Sequence, residues 1–218
     1  MPFLRNHRQA RPAAWFDAAA GQCLLQAEHA TLAGALVARP AQQPWLWLAP
    51  LSAASKPLQL PPGGLRLHPG LAGWDGDVRC RLPLPLADDS IGNILLQHVV
   101  QATDDPLLGE CARVLEPGGR LWLHTFNPWS PYRLRWARSG LRTPSPLGLL
   151  GQLRALGLSA CDGSGSRLGP VWKVQASDHG ASPGALRAVL VLQVEKRTAS
   201  LIPPARTKAR WQPGAAPA

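Results

Sequence analysis

Cysteine is scarce and scattered in this chain. Cys23, Cys80, Cys111 and Cys161 are the only four, and no two of them form a C-x-x-C pair. That spacing argues against a structural zinc site and a disulfide framework, so no metal is predicted and the thiols are expected to be reduced in a cytoplasmic protein. No run of about 18 apolar residues occurs, so no membrane span is predicted. The opening stretch MPFLRNHRQARPAAW is basic but has no apolar core segment, which argues against a secretory signal. No internal repeat is evident, and no aromatic-plus-basic motif marks a nucleic-acid module.

Acids are the second shortage. There are 13 Asp and Glu against 23 Lys and Arg, a net charge of +10. The imbalance is uneven. Residues 17–132 hold more acids than bases, whereas residues 133–142 hold Arg133, Arg135, Arg138 and Arg142 with no acid, and both ends of the chain are basic. A basic tail can attract nucleic acid or anionic lipid, and a solvated arginine-rich surface is the plainer reading. With 218 residues, 45% of them hydrophobic, the chain suits one domain. The expected division is a flexible N-terminus over 1–14, one α/β domain over 15–195 and a Pro/Ala/Arg-rich tail over 196–218.

The most informative stretch is Ile91 to Pro128. Ile94, Leu95, Leu96, Val99 and Val100 form an apolar run, as expected for a strand buried on both faces of a parallel sheet. Thr103, Asp104 and Asp105 offer helix N-caps, and Pro106 suits the first turn. Leu107, Leu108, Cys111, Val114 and Leu115 recur at helical spacing, with Glu110 and Arg113 turned away. Pro117-Gly118-Gly119 ends the helix, and Leu121, Trp122, Leu123 and Phe126 supply the next strand. A strand, a crossover helix and a second strand make one right-handed βαβ unit.

Leu84-Pro85-Leu86, Ser90-Ile91-Gly92 and Arg113-Val114-Leu115-Glu116-Pro117-Gly118-Gly119 resemble the second half of class I S-adenosylmethionine (SAM)-dependent methyltransferases of the type 11 group. There the form is LPF-x-x-x-SFD, an apolar strand, a helix, then R-x-L-x-PGG. FNPWSPYRLRW is similar to the FNPWS-x-x-x-LR stretch of a proteobacterial subgroup of methyltransferase-like proteins. The resemblance implies a Rossmann-like three-layer α/β sandwich, its mostly parallel sheet closed by an antiparallel C-terminal hairpin from Val171–Val174 and Ala188–Val194. It implies SAM as cofactor and an unidentified acceptor, small molecule or macromolecule. The alternative is a catalytically inactive methyltransferase-like binding or regulatory protein.

The first half departs from that pattern. Trp15 to Ala38 reads as a helix ended by Pro40, with Trp15 and Phe16 in the core. Pro44–Ala49 should be the first strand. Its carboxyl end is where the family's glycine-rich turn meets the cofactor, because glycine permits close approach and positive φ. Here Ala49, Pro50, Leu51 and Ser52 stand there without a glycine, and Pro50 removes a donor. The prolines between Ser52 and Gly64 allow a loop or single turn only, so the helices of this half are eroded. Leu65–His68 is the candidate second strand, with His68 where the resemblance places the ribose-binding acid. Asp77–Arg81 is the candidate third, with Cys80 near the adenine-contacting position. Gln97 and His98 end the fourth strand at the pocket lip, and His98 is the candidate general base. A polar strand end is the plainer reading of His98. Asn127, Trp129 and Arg133 follow the fifth strand on the expected acceptor side. Pro146–Leu156 reads as a further helix, and Ser159–Gly169 as a loop.

Overall fold

A computed structural model describes residues 12–38, 43–54, 60–172 and 184–197. A short 3-10 helix (Pro12–Asp17) leads into α1 (Ala19–Ala38). Then follow β1 (Trp45–Leu48), α2 (Leu51–Ala54), β2 (Gly64–Pro69) and β3 (Trp74–Gly76). β4 (Ile91–Gln97), α3 (Pro106–Val114) and β5 (Leu115–Phe126) form the centre. A 3-10 helix (Pro131–Arg135), α4 (Pro146–Ala155), β6 (Leu158–Ala160), β7 (Ser166–Leu168) and β8 (Val189–Lys196) complete the order.

The strands make one sheet in the order β3-β2-β1-β4-β5-β8-β6, with β7 also on β8. β2, β1, β4 and β5 run parallel, and β3 and β8 run antiparallel to their neighbours. Helices cover both faces, so the architecture is the doubly wound sandwich expected from the sequence. On one face Leu46, Leu48, Leu67, Ile94, Leu96 and Leu121 pack against Leu107, Leu108 and Cys111 of α3 and Leu149 and Leu153 of α4. On the other, Trp45, Trp47, Leu95 and Trp122 meet Leu24, Leu25 and Leu32 of α1, with Trp15, Phe16, Tyr132 and Trp136.

The βαβ unit forms as its residues dictate. Asp105 caps α3, its Oδ1 accepting from Leu107 N at 3.0 Å, and Pro106 opens the helix. The Arg113 guanidinium is held: it donates to Leu84 O at 3.0 Å and Leu86 O at 2.9 Å, and pairs with Glu110 and Asp88. The motif arginine thus fastens the loop before β4 to α3, and its hydrogen bond pulls the Glu110 carboxyl below its ordinary value despite partial burial.

Three expectations need correction. Asp77–Arg81 is not a third strand parallel to the others; its Cys80 makes only an isolated bridge to Trp74. The strand is β3, folded back on β2, because the four residues Gly70–Gly73 suffice for a hairpin and fall far short of a crossover. The penultimate strand is Ser166–Leu168, inside the segment read as a loop; Val171 and Trp172 lie outside it, and Lys173 and Val174 fall outside the described residues. The helix read from Trp15 to Ala38 is broken at Ala18. A Cβ on Gly21 would lie 2.4 Å from Trp15 O and 2.5 Å from Phe16 Cα, so glycine there lets the 3-10 segment fold back onto α1.

Candidate functional site

The parallel register lines up the strand ends. Leu48 pairs with Leu67 and Leu96, and Leu96 pairs with Leu123. One residue on, His68, Ala49, Gln97 and His124 therefore stand side by side at the carboxyl edge, and Gln97 pairs directly with His124. Alternation along the strands turns this row away from the leucine face and toward α1. In open α/β sheets, ligands bind outside the carboxyl ends of the strands where the order reverses, here between β1 and β4.

At that point α1 contributes a residue that sequence reasoning missed. Glu28 is fully buried, and its Oε1 lies 2.6 Å from His98 Nε2. A carboxylate only accepts, so Nε2 donates to it, and in the neutral imidazole Nδ1 then presents the lone pair. Gln97 Nε2 donates to the other carboxylate oxygen, and His124 Nδ1 stands 3.6 Å from Oε1, an electrostatic contact rather than a hydrogen bond. Burial pushes the Glu28 carboxyl up, but the charge of His98 and the interactions of His124 and His98 outweigh it and bring it down to about 2. His98 sits at φ 53°, a left-handed conformation costly for a non-glycine residue and common at functional sites. Phe126, at 4.4 Å between ring centroids, and Phe16, at 5.4 Å, enclose its ring. Gln97 Oε1 and His98 Nδ1 are buried without a hydrogen-bond partner among the described residues. The sequence did carry a signal for Glu28: it falls between Leu24, Leu25 and Leu32 on the apolar stripe of α1, and a buried acid requires partners.

The other candidates scatter. Ala49 and Pro50 are buried, Leu51 is exposed, and Ser52 donates to the Asp17 carboxylate at the start of α2. His68 is half-buried, its Nδ1 3.5 Å from Pro69 O. Cys80 joins Trp74, Asp75, Arg79 and Arg81 around a 340 Å³ cleft beyond the carboxyl end of β2. Burial, with the Asp75 charge adding to it, pushes the Cys80 thiol up, so it is a weak nucleophile. Asp75 stands opposite His68 across the β2–β3 hairpin, so this margin holds an acid, three strand spacings from Gln97. Asn127 is not free for an acceptor: its Nδ2 donates to Ala185 O and Arg187 O. Trp129 and Arg133 are exposed. Among the described residues, no cluster of His, Cys, Asp and Glu is suited to a metal ion.

No family model and no curated protein matches the chain. Solved structures do. One chain of the complex between the Haloferax volcanii Trm112 methyltransferase activator and a methyltransferase aligns at TM-score 0.50 and 14% identity, over 86% of this chain and 98% of its own. A geranyl diphosphate methyltransferase in complex with GPP and sinefungin aligns at TM-score 0.50 and 12% identity, over 77% of this chain and 76% of its own. The fold is that of the class I methyltransferases. At such identities the likeness speaks for the architecture and leaves the chemistry to the residues themselves.

Proposed function

We propose that this chain is a SAM-dependent methyltransferase acting on an acceptor that must lose a proton. The observation that carries the reading is the Glu28–His98 pair at the carboxyl edge of β4, with Nδ1 unpartnered among the described residues. The residues present fit the donor at two places. The orphaned Gln97 Oε1 offers a buried polar atom beside the β1–β4 switch point. The Trp74–Asp75 cleft beyond β2 offers an aromatic surface and a carboxylate suited to a nucleoside. At the β1 end, small Ala49 and Ala53 stand in for glycine. When bound, SAM supplies an electrophilic methyl group on a sulfonium.

The chain's residues then have defined tasks. Glu28 fixes the imidazole tautomer and stabilises the imidazolium, as a carboxylate does behind any histidine base. His98 Nδ1 takes the acceptor's proton. Phe16 and Phe126 keep water from the ring, and Trp15 packs behind Phe126. Trp129 and Arg133, exposed after β5, belong to the acceptor side in this reading.

A second reading rests on a different observation. Pro50 withholds a backbone donor at the first turn, and Gln97 and His98 are almost wholly buried, which suits a methyltransferase fold retained as a binding module. Calorimetric titration of the full chain with S-adenosylhomocysteine separates the two. Micromolar binding that weakens when His98 is replaced by alanine supports the enzyme reading. No heat and no thermal shift at millimolar ligand sinks it.

A further inference from the structure

Large apolar side chains are exposed at few described positions, and three gather around the 3-10 helix Pro131–Arg135: Trp129 is 61% exposed, Leu134 71% and Trp172 62%. Leu134 and Trp172 line one 560 Å³ groove with Trp15, Tyr132 and Arg135. Trp129 sits one turn away, where Ser130 caps the helix and Arg133 Nη1 reaches back to Pro128 O at 3.4 Å. Such a set is unusual on a surface left to water.

The charge on the segment that carries the 3-10 helix is of one sign. Between Glu116 and Asp162 the sequence has no acid, while Arg133, Arg135, Arg138, Arg142 and Arg154 all fall in that interval. Arg133, Arg135 and Arg138 are exposed beside the apolar side chains. Their neighbours leave them available to a polyanion: Arg135 lies over the Tyr132 ring at 5.7 Å and touches Trp172 O at 3.4 Å, and neither contact neutralises it.

The platform is rigid. Tyr132 and Trp136 are buried beneath it, Tyr132 Oη donates to Ala20 O at 3.1 Å, and Trp15 Nε1 donates to Arg135 O at 2.8 Å. Leu134, Arg133 and Arg135 are thus presented by a helix pinned to α1.

We propose that this face docks on an anionic membrane surface, with Trp129, Leu134 and Trp172 entering the headgroup region and Arg133, Arg135 and Arg138 on the phosphates. Tryptophan and leucine supply the apolar insertion, and arginine adds attraction to anionic lipid, the combination by which proteins lie on a bilayer without spanning it. The alternating order Arg133, Leu134, Arg135 on one turn suits a plane in which apolar groups point inward while guanidinium groups spread along the headgroups. Docking shares Trp129 and Arg133 with the acceptor side of the methyl-transfer reading, and vesicle binding tests it whether or not methyl transfer takes place.

The test is co-sedimentation of the full chain with vesicles of pure phosphatidylcholine and of equal parts phosphatidylcholine and phosphatidylglycerol. The expected result is binding to the anionic vesicles, little to the neutral ones, and a bound fraction that falls as salt rises. Leu134→Ser with Trp129→Ser should lower partitioning about tenfold, and Arg133→Gln with Arg138→Gln by a similar factor, roughly fivefold for each charge at most. All four side chains are exposed, so unchanged melting curves will certify the variants. Binding that neither pair of substitutions weakens overturns the proposal, because charge elsewhere in the chain then carries it. So does a chain that ignores both vesicles and instead retards a single-stranded oligonucleotide, which assigns the arginines to nucleic acid.

Discussion

The two sides of the β1–β4 boundary are held together in different ways. On the β4–β5 side a nine-residue crossover helix, capped and amphipathic, packs Leu107, Leu108 and Cys111 onto the sheet. On the β1–β2 side the described crossover is a single turn, α2. There the strands are covered from the other face, by the 3-10 helix, α1 and the side chains they send over the sheet. Trp45 closes over Gly64 at the start of β2 and donates from Nε1 to Pro61 O at 2.9 Å. Glu28 ties α1 to the end of β4. A segment that precedes a parallel sheet can therefore cover its first strands, and that cover becomes part of the site it lies on.

The sharpest way to break this comparison is Glu28→Ala. It leaves His98 and Gln97 buried without their shared partner, and about 4 kcal/mol of stability should be lost, read from urea melts. A loss under about 1 kcal/mol would mean that the N-terminal cover does not hold the first half. The same residue predicts the acid limb. Its carboxyl lies near 2 folded and 4.5 in the ordinary state, so its contribution is complete above about pH 4.5 and disappears as the pH falls toward 2. Glu28→Gln should flatten the stability profile in that window. Leu108→Ala, on the other side of the boundary, should cost about 3 kcal/mol through a cavity under α3. Gly64→Ala should cost about 2 kcal/mol, because its Cβ would fall 1.9 Å from Trp45 Cε2 and displace the indole. Asp105→Ala should be smallest, about 1 kcal/mol for a lost N-cap. If Gly64→Ala proved milder than Asp105→Ala, the Trp45 clasp would be the dispensable one of the two.

The same boundary divides what could be read in advance. From Leu84 to Asn127 the helical period and the Asp105–Pro106 start concern neighbours a few residues apart, and strand, helix and strand follow in the expected order; β4 ends at Gln97 before Val99 and Val100, α3 ends at Val114, and Pro117-Gly118-Gly119 lies within β5 instead of ending the helix. The β2–β3 hairpin was hidden because Asp77–Arg81 has strand composition, while the deciding fact is the shortness of Gly70–Gly73. β7 was hidden by glycines and serines that flank a three-residue strand. Gln97 and His98 were visible as a polar end to an apolar run. Glu28 lies 69 residues from Gln97 and 70 from His98, and only the folding of α1 over the sheet brings them together. Asn127 was read as facing an acceptor, yet its amide holds the 185–187 backbone, a use no local pattern could disclose.

Lys196, the last residue of β8, has its ammonium group 2.7 Å from Ala112 O, Leu115 O and Asp89 Oδ1. Ala112 lies in the final turn of α3 and Leu115 just beyond it, where carbonyls have no partner within the helix and the dipole is negative. The last described strand thus reaches back across the molecule to cap the central helix. In terms of how the chain tolerates being cut, its contacts place Lys196 among the residues that hold α3. A protein trimmed before Lys196 would fray in α3, far along the sequence from the cut. Hydrogen exchange would show it as faster exchange in Cys111–Leu115, not in β8 alone.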